Sequence, residues 1–594
     1  MWKFLRDVSA SAIGTITAVV FLVLLGTGAG LVVVVALLAT TEDVEEPTVR
    51  DRSILVLDLS TPIRDSQLLD EFTEAIAVES NVITLRQAKI ALAEAAQDDR
   101  IVGLLIDGSG GEAGMGFATA QALRPALVEF QESGKRVMAY DVDWSEGDYY
   151  LGSVADTVVI NPMGELEFNG LGAEQTFLTG ALEKFGVGVQ VVRAGNYKSA
   201  VEPFIETEFS AASREQLTAL LGDLWQEFLT AVGRDRNQTP QALQAIAATQ
   251  GFLLPTAAVQ AELIDQVAYF DEVAAELRTL TEQEEEPKQQ FRQVTLSNYR
   301  NEIEDAIAGD YAENKIAILY AAGEIVYGEG EVEQIGSDRL IRQIRDLRRD
   351  EDVQAIVLRI NSPGGSATAS DLILRELQLT REQKPIIVSM GNVAASGGYW
   401  IALESDRIFA ESTTITGSIG VFGLLPNLEG ITTENGITWD SVKTAPLADI
   451  DTLARPKTEA ELATIQQFVD QIYNLFLDKV ARSRDLPRSE VAAIAQGRVW
   501  SGSDAAANGL VDQIGGLEDA IAYAAETADL GDNWQIEEYQ NELTFEEFLF
   551  RTFSIQDTTP LTQEWVKLQT QLQHLTRFSD PRHLYSIAPT LTIR

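Results

Sequence analysis

Two segments of this chain, 250 positions apart, follow the same sequence pattern. Residues 137–170 and residues 386–420 each contain a strand-like apolar run, a loop, a Tyr-aromatic pair that begins a helix, an Asp and a final Gly. The aligned pairs are Tyr149 with Tyr399, Asp156 with Asp406, and Gly170 with Gly420. Solenoid repeats are much shorter, so this period indicates duplication of a whole domain.

The two copies differ at two positions that matter for chemistry. Ser396 of the second copy aligns with Glu146 of the first, and Lys198 of the first copy aligns with Ala448 of the second. A serine hydroxyl and a lysine amine can act together as nucleophile and base. The alignment therefore predicts one Ser/Lys site assembled from both copies, and leaves open whether the two residues belong to one chain or to neighbouring chains.

Each copy alternates short β-rich runs with helical patterns, which is typical of α/β domains with crossover connections. The predicted strands are Ile54–Leu59, Ile101–Ile106, Arg136–Tyr140 and Thr157–Ile160, then Lys315–Tyr320, Ala355–Ile360, Pro385–Ser389 and Arg407–Ala410. The predicted domains are residues 50–281, carrying Lys198, and residues 311–530, carrying Ser396. A polar linker is placed at residues 282–310, and residues 531–594 form an extension of unknown role.

An uncharged segment, residues 12–39, precedes the first copy. It exceeds the roughly 20 apolar residues needed to cross a bilayer. Lys3 and Arg6 lie before it and acidic residues follow it, so residues 1–45 are predicted to be a single-pass anchor. Its N-terminus would be cytoplasmic and the body would lie on the non-cytoplasmic face. A cleaved signal peptide and a shallow hairpin are the alternatives.

Composition excludes several classes of function. The net charge is −45 over 594 residues, which argues against nucleic-acid binding. The chain has no cysteine, and its two histidines, His574 and His583, lie near the C-terminus. A cysteine nucleophile is excluded, and a Ser-His-Asp triad or a histidine-rich metal site in the body is not expected. Lysine is then the expected base, with no metal and no cofactor.

The second copy contains the turn sequence NSPGGS at residues 361–366 after an apolar run. Glycines in such a turn allow unusual backbone angles and expose N–H groups, so Gly364 and Gly365 are candidate donors to an oxyanion. An ordinary turn is the simpler interpretation of these two residues alone. The first copy keeps the glycines as Gly110 and Gly111 but lacks the proline.

A second motif, NVAASGGYW at residues 392–400, places Ser396 where a helix is predicted to begin. The small residues around Ser396 are expected to leave it exposed, with the N–H of Gly397 beside it as a further oxyanion donor. The competing interpretation is that Ser396 is only the N-cap of that helix.

A third motif, GNYKSAVEPF at residues 195–204, surrounds Lys198 with aromatic, small and Pro-Phe residues. These neighbours predict partial burial, whereas most lysines are solvated. A lysine base at neutral pH needs its pKa lowered from about 10.4 to about 7–8. Ser418, in TGSIGV at residues 416–421, is a candidate to orient the amine.

Together these motifs resemble the signal peptide peptidase A family in its long tandem-domain form. The resemblance covers residues 50 to about 530 and implies two copies of the fold shared by the Clp protease and the crotonases. It implies an acyl-enzyme endopeptidase acting on cleaved signal peptides and other hydrophobic unfolded segments. The implied site residues are Ser396 as nucleophile, Lys198 as general base, Ser418 near the amine, and Gly364, Gly365 and Gly397 as the oxyanion hole.

Two other classes of function remain alternatives. A crotonase-type acyl-CoA enzyme shares the expected fold and relies on glutamates, and Glu146 is the residue that would serve it, although a solvated loop charge is the simpler interpretation. A catalytically silent membrane scaffold is the second alternative. Because the related folds form rings, a homo-oligomer is expected, with a tetramer favoured. The motif surroundings suggest cleavage beside small or apolar residues.

Overall fold

A computed structural model describes residues 49–66, 82–111, 114–283, 291–308, 311–539, 580, 584–589 and 592–593. These residues belong to one compact unit. The predicted anchor at residues 12–39, both histidines and most of the C-terminal extension lie outside the described residues. Within the described ranges, no helix combines the length and the apolar character needed to cross a membrane.

The first copy is built on a parallel sheet. Its central strands read as continuous apolar runs and are buried almost completely, as expected when helices cover both faces of a sheet. In spatial order, the strands are Gln266–Val267, Thr157–Ile160, Arg136–Asp141, Ile101–Asp107, Ser53–Asp58 and Gln293–Thr295.

The second copy repeats this order strand for strand. Its sheet runs Gln513–Ile514, Arg407–Ala410, Ile386–Ala395, Val353–Ser362, Lys315–Ala322 and Gln535–Tyr539. A further pair, Ile415–Gly417 with Val499–Ser501, extends the sheet beside Ile386–Ala395. The predicted α/β duplication is confirmed, and the predicted central strands are recovered with ends that differ by a few residues.

Helices connect the strands and cover the sheets. Capping fixes several helix starts, as at Leu85–Gln97, where Thr84 and Gln87 form a reciprocal capping box. The helices of the first copy are Leu85–Gln97, Phe117–Glu132, Glu146–Gly152, Thr179–Lys184, Glu202–Ile205, Ala211–Asp235, Pro240–Thr249, Pro255–Gln260, Phe270–Thr281, Leu296–Glu302 and Glu304–Ala308. Those of the second copy are Ser337–Arg349, Ala367–Arg381, Gly397–Ala402, Glu429–Glu434, Glu459–Ser483, Arg488–Ile494, Gly502–Ala507 and Leu517–Thr527.

A third sheet joins the two copies, and we call it the bridging sheet. Strand Gly188–Ala194 of the first copy pairs antiparallel with Val421–Asn427 of the second. The remaining strands, in spatial order from Val421–Asn427, are Leu584–Ile587, Gly364–Ser366, Glu324–Val326 and Gln334–Gly336. The bridging sheet therefore brings the Lys198 loop of one copy to the glycine turn of the other.

The structure differs from the predicted domain limits at both ends of the copies. Residues 293–295 were placed in the linker, but they form the edge strand beside Ser53–Asp58. Val294 and Tyr299 are buried in the first core. Likewise, strand Gln535–Tyr539 completes the second sheet beyond the predicted end at residue 530. In each copy, the last strand of the sheet therefore pairs with the first. This pairing joins residues far apart in the chain, so the local sequence pattern does not reveal it.

A buried salt bridge also links the copies. The Asp65 carboxylate of the first copy accepts hydrogen bonds from the Arg359 guanidinium of the second, at 2.9 Å from Nε and 2.7 Å from Nη2. The other Asp65 oxygen accepts from Asn361 Nδ2 at 2.7 Å. Asp65 and Arg359 side chains are only 4% and 2% exposed, so each charge depends on the other for compensation.

Candidate active site

Ser396 lies at the sharp corner between strand Ile386–Ala395 and helix Gly397–Ala402. Its φ of 59° and ψ of −113° fall outside the regions that most non-glycine residues adopt, and such strain is stored at functional sites. Ser396 occupies the N-cap position, but its side chain makes no cap hydrogen bond. Its hydroxyl instead contacts Lys198 and Ser586, so the simple capping interpretation does not describe it.

Glycines next to Ser396 make this corner possible. A Cβ at Gly398 would lie 2.6 Å from the Ser362 carbonyl oxygen. A Cβ at Gly397 would lie 3.1 Å from the backbone nitrogen of Gly365. The start of the helix is therefore packed directly against the glycine turn of residues 361–366, and side chains at these two positions would separate the two motifs.

Lys198 follows strand Gly188–Ala194 and reaches the same corner. Its Nζ lies 2.5 Å from Ser396 Oγ, 2.9 Å from the Ser418 carbonyl oxygen and 3.0 Å from Ser418 Oγ. Lys198, Ser396 and Ser418 are each 0% exposed. Burial lowers the pKa of Lys198 well below its ordinary value. The structure therefore brings the three predicted side chains together within one chain.

The burial of this group exceeds the sequence prediction. Ser396 was expected to be exposed and Lys198 partly buried, but both are fully buried. The cause at Ser396 is strand Leu584–Ile587, which lies between Gly364–Ser366 and Val421–Asn427 and is antiparallel to both. Ser586 Oγ lies 2.5 Å from Ser396 Oγ and 3.1 Å from the Gly420 carbonyl oxygen.

Gly364 and Gly365 were both candidate donors to an oxyanion, and the structure gives Gly364 a different role. Gly364 has a φ of +99°, which requires glycine, but its N–H donates to Ser362 Oγ at 3.1 Å. That N–H is therefore already engaged, and the role of Gly364 is to supply the positive φ that the turn requires. The N–H groups of Gly365 and Gly397 are the remaining candidates for an oxyanion hole, and a Cβ at Gly397 would lie 3.1 Å from the backbone nitrogen of Gly365.

The pairing register shows where Gly365 points. The Ala588 N–H donates to the Pro363 carbonyl oxygen at 2.7 Å. Hydrogen-bonded pairs alternate along an antiparallel ladder, so Gly365 and Ser586, which are directly opposite each other, form the next such pair. The N–H of Gly365 thus faces the carbonyl group of Ser586.

Two residues that the sequence did not single out hold the lysine loop. Gln216 Nε2 donates to the Tyr197 carbonyl oxygen at 3.1 Å and to Ser199 Oγ at 3.0 Å, while its Oε1 accepts from the Val499 N–H at 3.1 Å. Gly497 has a φ of +80°, and a Cβ there would lie 2.7 Å from Lys198 Cα. The alignment of the copies carries no signal for the contacts of Gln216 with Val499 and of Gly497 with Lys198, because these two contacts arise between the copies.

Glu146, at the serine-equivalent position, is not the solvated loop charge that the sequence suggested. It is 6% exposed, and its Oε1 accepts hydrogen bonds from the backbone N–H groups of Asn169 at 2.6 Å and Gly170 at 2.7 Å. Burial raises its pKa despite these two bonds. The carboxylate therefore has a structural role, because it binds two backbone N–H groups of the first copy. Among the described residues, no group of three or more acidic or histidine side chains is arranged to hold a metal ion.

Comparison with known proteins adds to this geometry. Residues 129–284 and 378–531 match the pattern of Peptidase family S49, and residues 308–415 match that of the Clp protease. Protease 4 of Haemophilus influenzae is 33% identical over 516 residues, covering 83% of each chain. Protease 4 of Salmonella typhi is 35% identical over 522 residues, covering 84% of this chain and 83% of its own. Serine protease SPPA, chloroplastic, of Arabidopsis thaliana is 32% identical over 487 residues, covering 81% of this chain and 70% of its own.

The duplicated fold and these similarities define a serine peptidase. The two matched segments correspond to the two copies described above. The chain belongs to peptidase family S49.

Proposed function

We propose that this serine peptidase is an endopeptidase in which Ser396 is the nucleophile and Lys198 is the general base of the same chain. The observation that carries the proposal is the 2.5 Å separation of Lys198 Nζ and Ser396 Oγ in a fully buried site. A candidate base must lie within hydrogen-bond reach of the proton that it takes, and this pair meets that condition.

The surrounding contacts supply an acceptor for each N–H group of a neutral amine. A neutral lysine has two N–H donors and one lone pair, whereas the ammonium has three donors and no acceptor. The Ser418 carbonyl oxygen and Ser418 Oγ accept the two N–H groups, and Ser418 Oγ in turn donates to the Gly497 carbonyl oxygen at 3.3 Å. In this protonation state the Nζ lone pair accepts the Ser396 hydroxyl proton, and the Ser586 hydroxyl is the donor in its 2.5 Å contact with Ser396 Oγ. Burial favours the same protonation state by lowering the pKa of Lys198.

The reaction follows from these positions. Lys198 takes the Ser396 proton as Oγ attacks a peptide carbonyl, and the N–H groups of Gly365 and Gly397 stabilise the oxyanion. The lysine then protonates the leaving amine, which leaves an acyl-enzyme on Ser396. Water, deprotonated by Lys198, hydrolyses that ester. Ser418 keeps the amine oriented throughout.

We propose hydrophobic, unfolded peptides as substrates, including cleaved signal peptides. Two apolar clusters that include residues of the bridging sheet support this class. Phe204, Phe422 and Leu424 belong to one cluster, and Val421 and Val469 belong to the other. Apolar side chains of an extended peptide would lose their contact with water there, and the resemblance to the signal peptide peptidase A family implies the same substrates.

Membrane attachment through residues 12–39 is part of the proposal. The uncharged segment and its flanking charges support a single-pass anchor with the catalytic body on the non-cytoplasmic face. An anchor would hold the cleft near substrates left in the bilayer and raise their effective concentration. Resistance of the purified membrane-bound chain to extraction by alkaline carbonate tests the anchor, and release into the supernatant would contradict it.

The test of the peptidase mechanism is hydrolysis of a fluorogenic apolar peptide by the full chain in detergent. Ser396→Ala should abolish turnover, while Ser441→Ala, at an exposed serine, should not change it. Because the base acts only when deprotonated, kcat/KM should rise tenfold per pH unit below the pKa of Lys198 and level off above it. The midpoint should lie well below 10.5. Unchanged turnover by Ser396→Ala would contradict the assignment.

The two other classes of function receive less support. The glutamate that an acyl-CoA enzyme would need is bound to backbone N–H groups in the first copy, and the similarities to peptidases do not favour a silent scaffold. A homo-oligomer, with a tetramer favoured, stays a prediction. Light scattering of the detergent-solubilised chain measures its mass directly.

A further inference from the structure

We propose that the active site cleaves the chain's own C-terminal segment between Ser586 and Ile587. This inference rests on the Ser/Lys function proposed above and adds a substrate to it. The sequence assigned no role to residues 531–594, and strand Leu584–Ile587 is the part of that extension that the structure places in the catalytic cleft.

The first observation is the way in which the strand is held. Leu584–Ile587 fills the space between Gly364–Ser366 and Val421–Asn427, and it pairs antiparallel with both. Addition of an extended peptide between or beside strand edges is a general mode of peptide recognition, since backbone hydrogen bonds supply affinity for any sequence. The strand therefore occupies the site as a substrate segment would.

The second observation is the position of one carbonyl group. A Cβ built on Gly364 would collide with the Ser586 carbonyl oxygen and would lie 2.6 Å from the backbone nitrogen of Gly397. The Ser586 oxygen and the Gly397 N–H thus share one small space, and the Gly365 N–H faces the same carbonyl through the strand register. Both proposed oxyanion donors surround the carbonyl of Ser586, and Ser396 Oγ lies beside this residue, 2.5 Å from its hydroxyl oxygen.

The side chains of the strand indicate what the cleft accepts. Tyr585 and Ile587 pack on the apolar wall that contains Phe204 and Phe422. Between them, Ser586 is turned toward the nucleophile and is 0% exposed, so the space beside the attacked carbonyl fits a small side chain. The substrate class is an extended peptide with a small residue on the acyl side of the cut and large apolar residues on either side of it.

The bond changes balance without an additional reactant other than water. Ser396 Oγ bonds to the Ser586 carbonyl carbon, and its proton moves to Lys198. The bond to the Ile587 nitrogen then breaks, and that nitrogen takes the proton and leaves as the free amine of residues 587–594. A water molecule gives its proton to Lys198 and adds to the ester carbon. The ester bond breaks, Ser396 regains the proton, and Ser586 ends as a carboxylate.

Intact-mass spectrometry of the freshly purified full chain over time tests this proposal. We expect the wild-type chain to lose residues 587–594 and the Ser396→Ala chain to keep them. Hydrolysis of a fluorogenic apolar peptide is measured on the same samples. Ser396-dependent peptide hydrolysis by a chain that stays whole would overturn self-cleavage and leave the proposed function standing. A wild-type chain that neither trims itself nor hydrolyses the peptide would overturn both.

Two further arms locate the reaction. A nitrogen-15-labelled Ser396→Ala chain mixed with wild type should stay whole, because the strand lies in its own cleft; trimming of the labelled chain would overturn cleavage within one chain. Ser586→Ala should be trimmed within about tenfold of the wild-type rate, since it loses only one neutral hydrogen-bonding group. Ser586→Trp should be slowed roughly a hundredfold by overpacking of the buried site. Equal trimming of both variants would overturn the assignment of the bond.

Discussion

The corner that holds Ser396 and the corresponding corner of the first copy share a backbone plan but differ in chemistry. Both follow the same strand of the repeated sheet and begin a short helix. In the second copy the corner residue has a positive φ and a hydroxyl beside Lys198. In the first, Glu146 lies inside the helix, Ser145 caps it, and the carboxylate binds the N–H groups of residues 169 and 170. The same backbone plan thus supports either the proposed nucleophile or a carboxylate that binds backbone N–H groups.

The lysine positions differ in the same complementary way. Lys198 follows a strand of the bridging sheet and is fully buried, whereas Ala448, at the equivalent position, is exposed. Neither copy holds both members of the pair. The comparison teaches that each copy supplies one residue of the proposed Ser/Lys pair, and that the contact between the copies brings the two residues together.

The largest effect is expected at Lys198, the residue of the first copy that we propose as the general base. Lys198→Arg keeps a cation but cannot lose its proton, so it should lower kcat by roughly a thousandfold or more. Lys198→Met should do the same. Lys184→Met, at an exposed lysine of the same copy, is the matched control and should retain activity. A Lys198→Arg enzyme with wild-type kcat would show that the two copies do not share the chemistry as described.

A second effect concerns the salt bridge between the copies. Asp65→Ala leaves the buried Arg359 without its carboxylate and should lower the free energy of unfolding by about 3–5 kcal/mol. The control is Asp478→Ala, which removes the partner of Arg488 from a pair whose side chains are 52% and 48% exposed. That change should cost less than about 1 kcal/mol. Equal costs in denaturant unfolding would mean that the bridge does not hold the copies together.

A third effect concerns the close packing of Gly497, from the second copy, against Lys198. Gly497→Ala forces a Cβ against Lys198 Cα, and the displaced amine should reduce kcat roughly ten- to a hundredfold. Gly436→Ala is the matched control, because Gly436 has a φ of +71° but nothing within 4 Å of an added Cβ. This control measures the effect on kcat of placing alanine at a positive φ without a steric contact. Similar kcat values for the two variants would remove Gly497 from the support of the site.

The smallest effect on turnover is expected at Glu146. Glu146→Ala leaves two buried N–H groups without their acceptor, at a cost of about 1–3 kcal/mol each in stability. The peptidase activity of the folded chain should change less than tenfold, since Glu146 belongs to the framework of the first copy. Loss of turnover at a temperature where circular dichroism shows a folded chain would contradict this division of roles.

Much of this architecture was predictable from local pattern. Apolar runs identified the strands around Ile101–Asp107 and Val353–Ser362, and the motifs singled out Ser396 and Lys198, which the structure brings within 2.5 Å of each other. The strand at Gln293–Thr295 was missed because its short sequence is assigned by pairing with Ser53–Asp58, far away in the chain. The strand over Ser396 was missed for the same reason.

Hydrogen bonds explain the remaining differences. The N–H of Gly364 was expected to face an oxyanion, but Ser362 Oγ lies within reach and accepts it. Glu146 was expected to be solvated, but a neighbouring loop supplies two donors and makes its burial tolerable. Burial and hydrogen-bond partners of a side chain depend on the tertiary fold, so a repeat alignment identifies the position and leaves the role to be determined.

The most direct test of the central claim uses two inactive chains together. Lys198→Met and Ser396→Ala chains are co-expressed and co-purified through different tags, and hydrolysis of the fluorogenic peptide is measured. Because Lys198 and Ser396 of one chain form the proposed site, we predict that the mixed assembly stays as inactive as either variant alone. Recovery of a substantial fraction of wild-type turnover would show that lysine and serine from different chains meet, and would contradict the account.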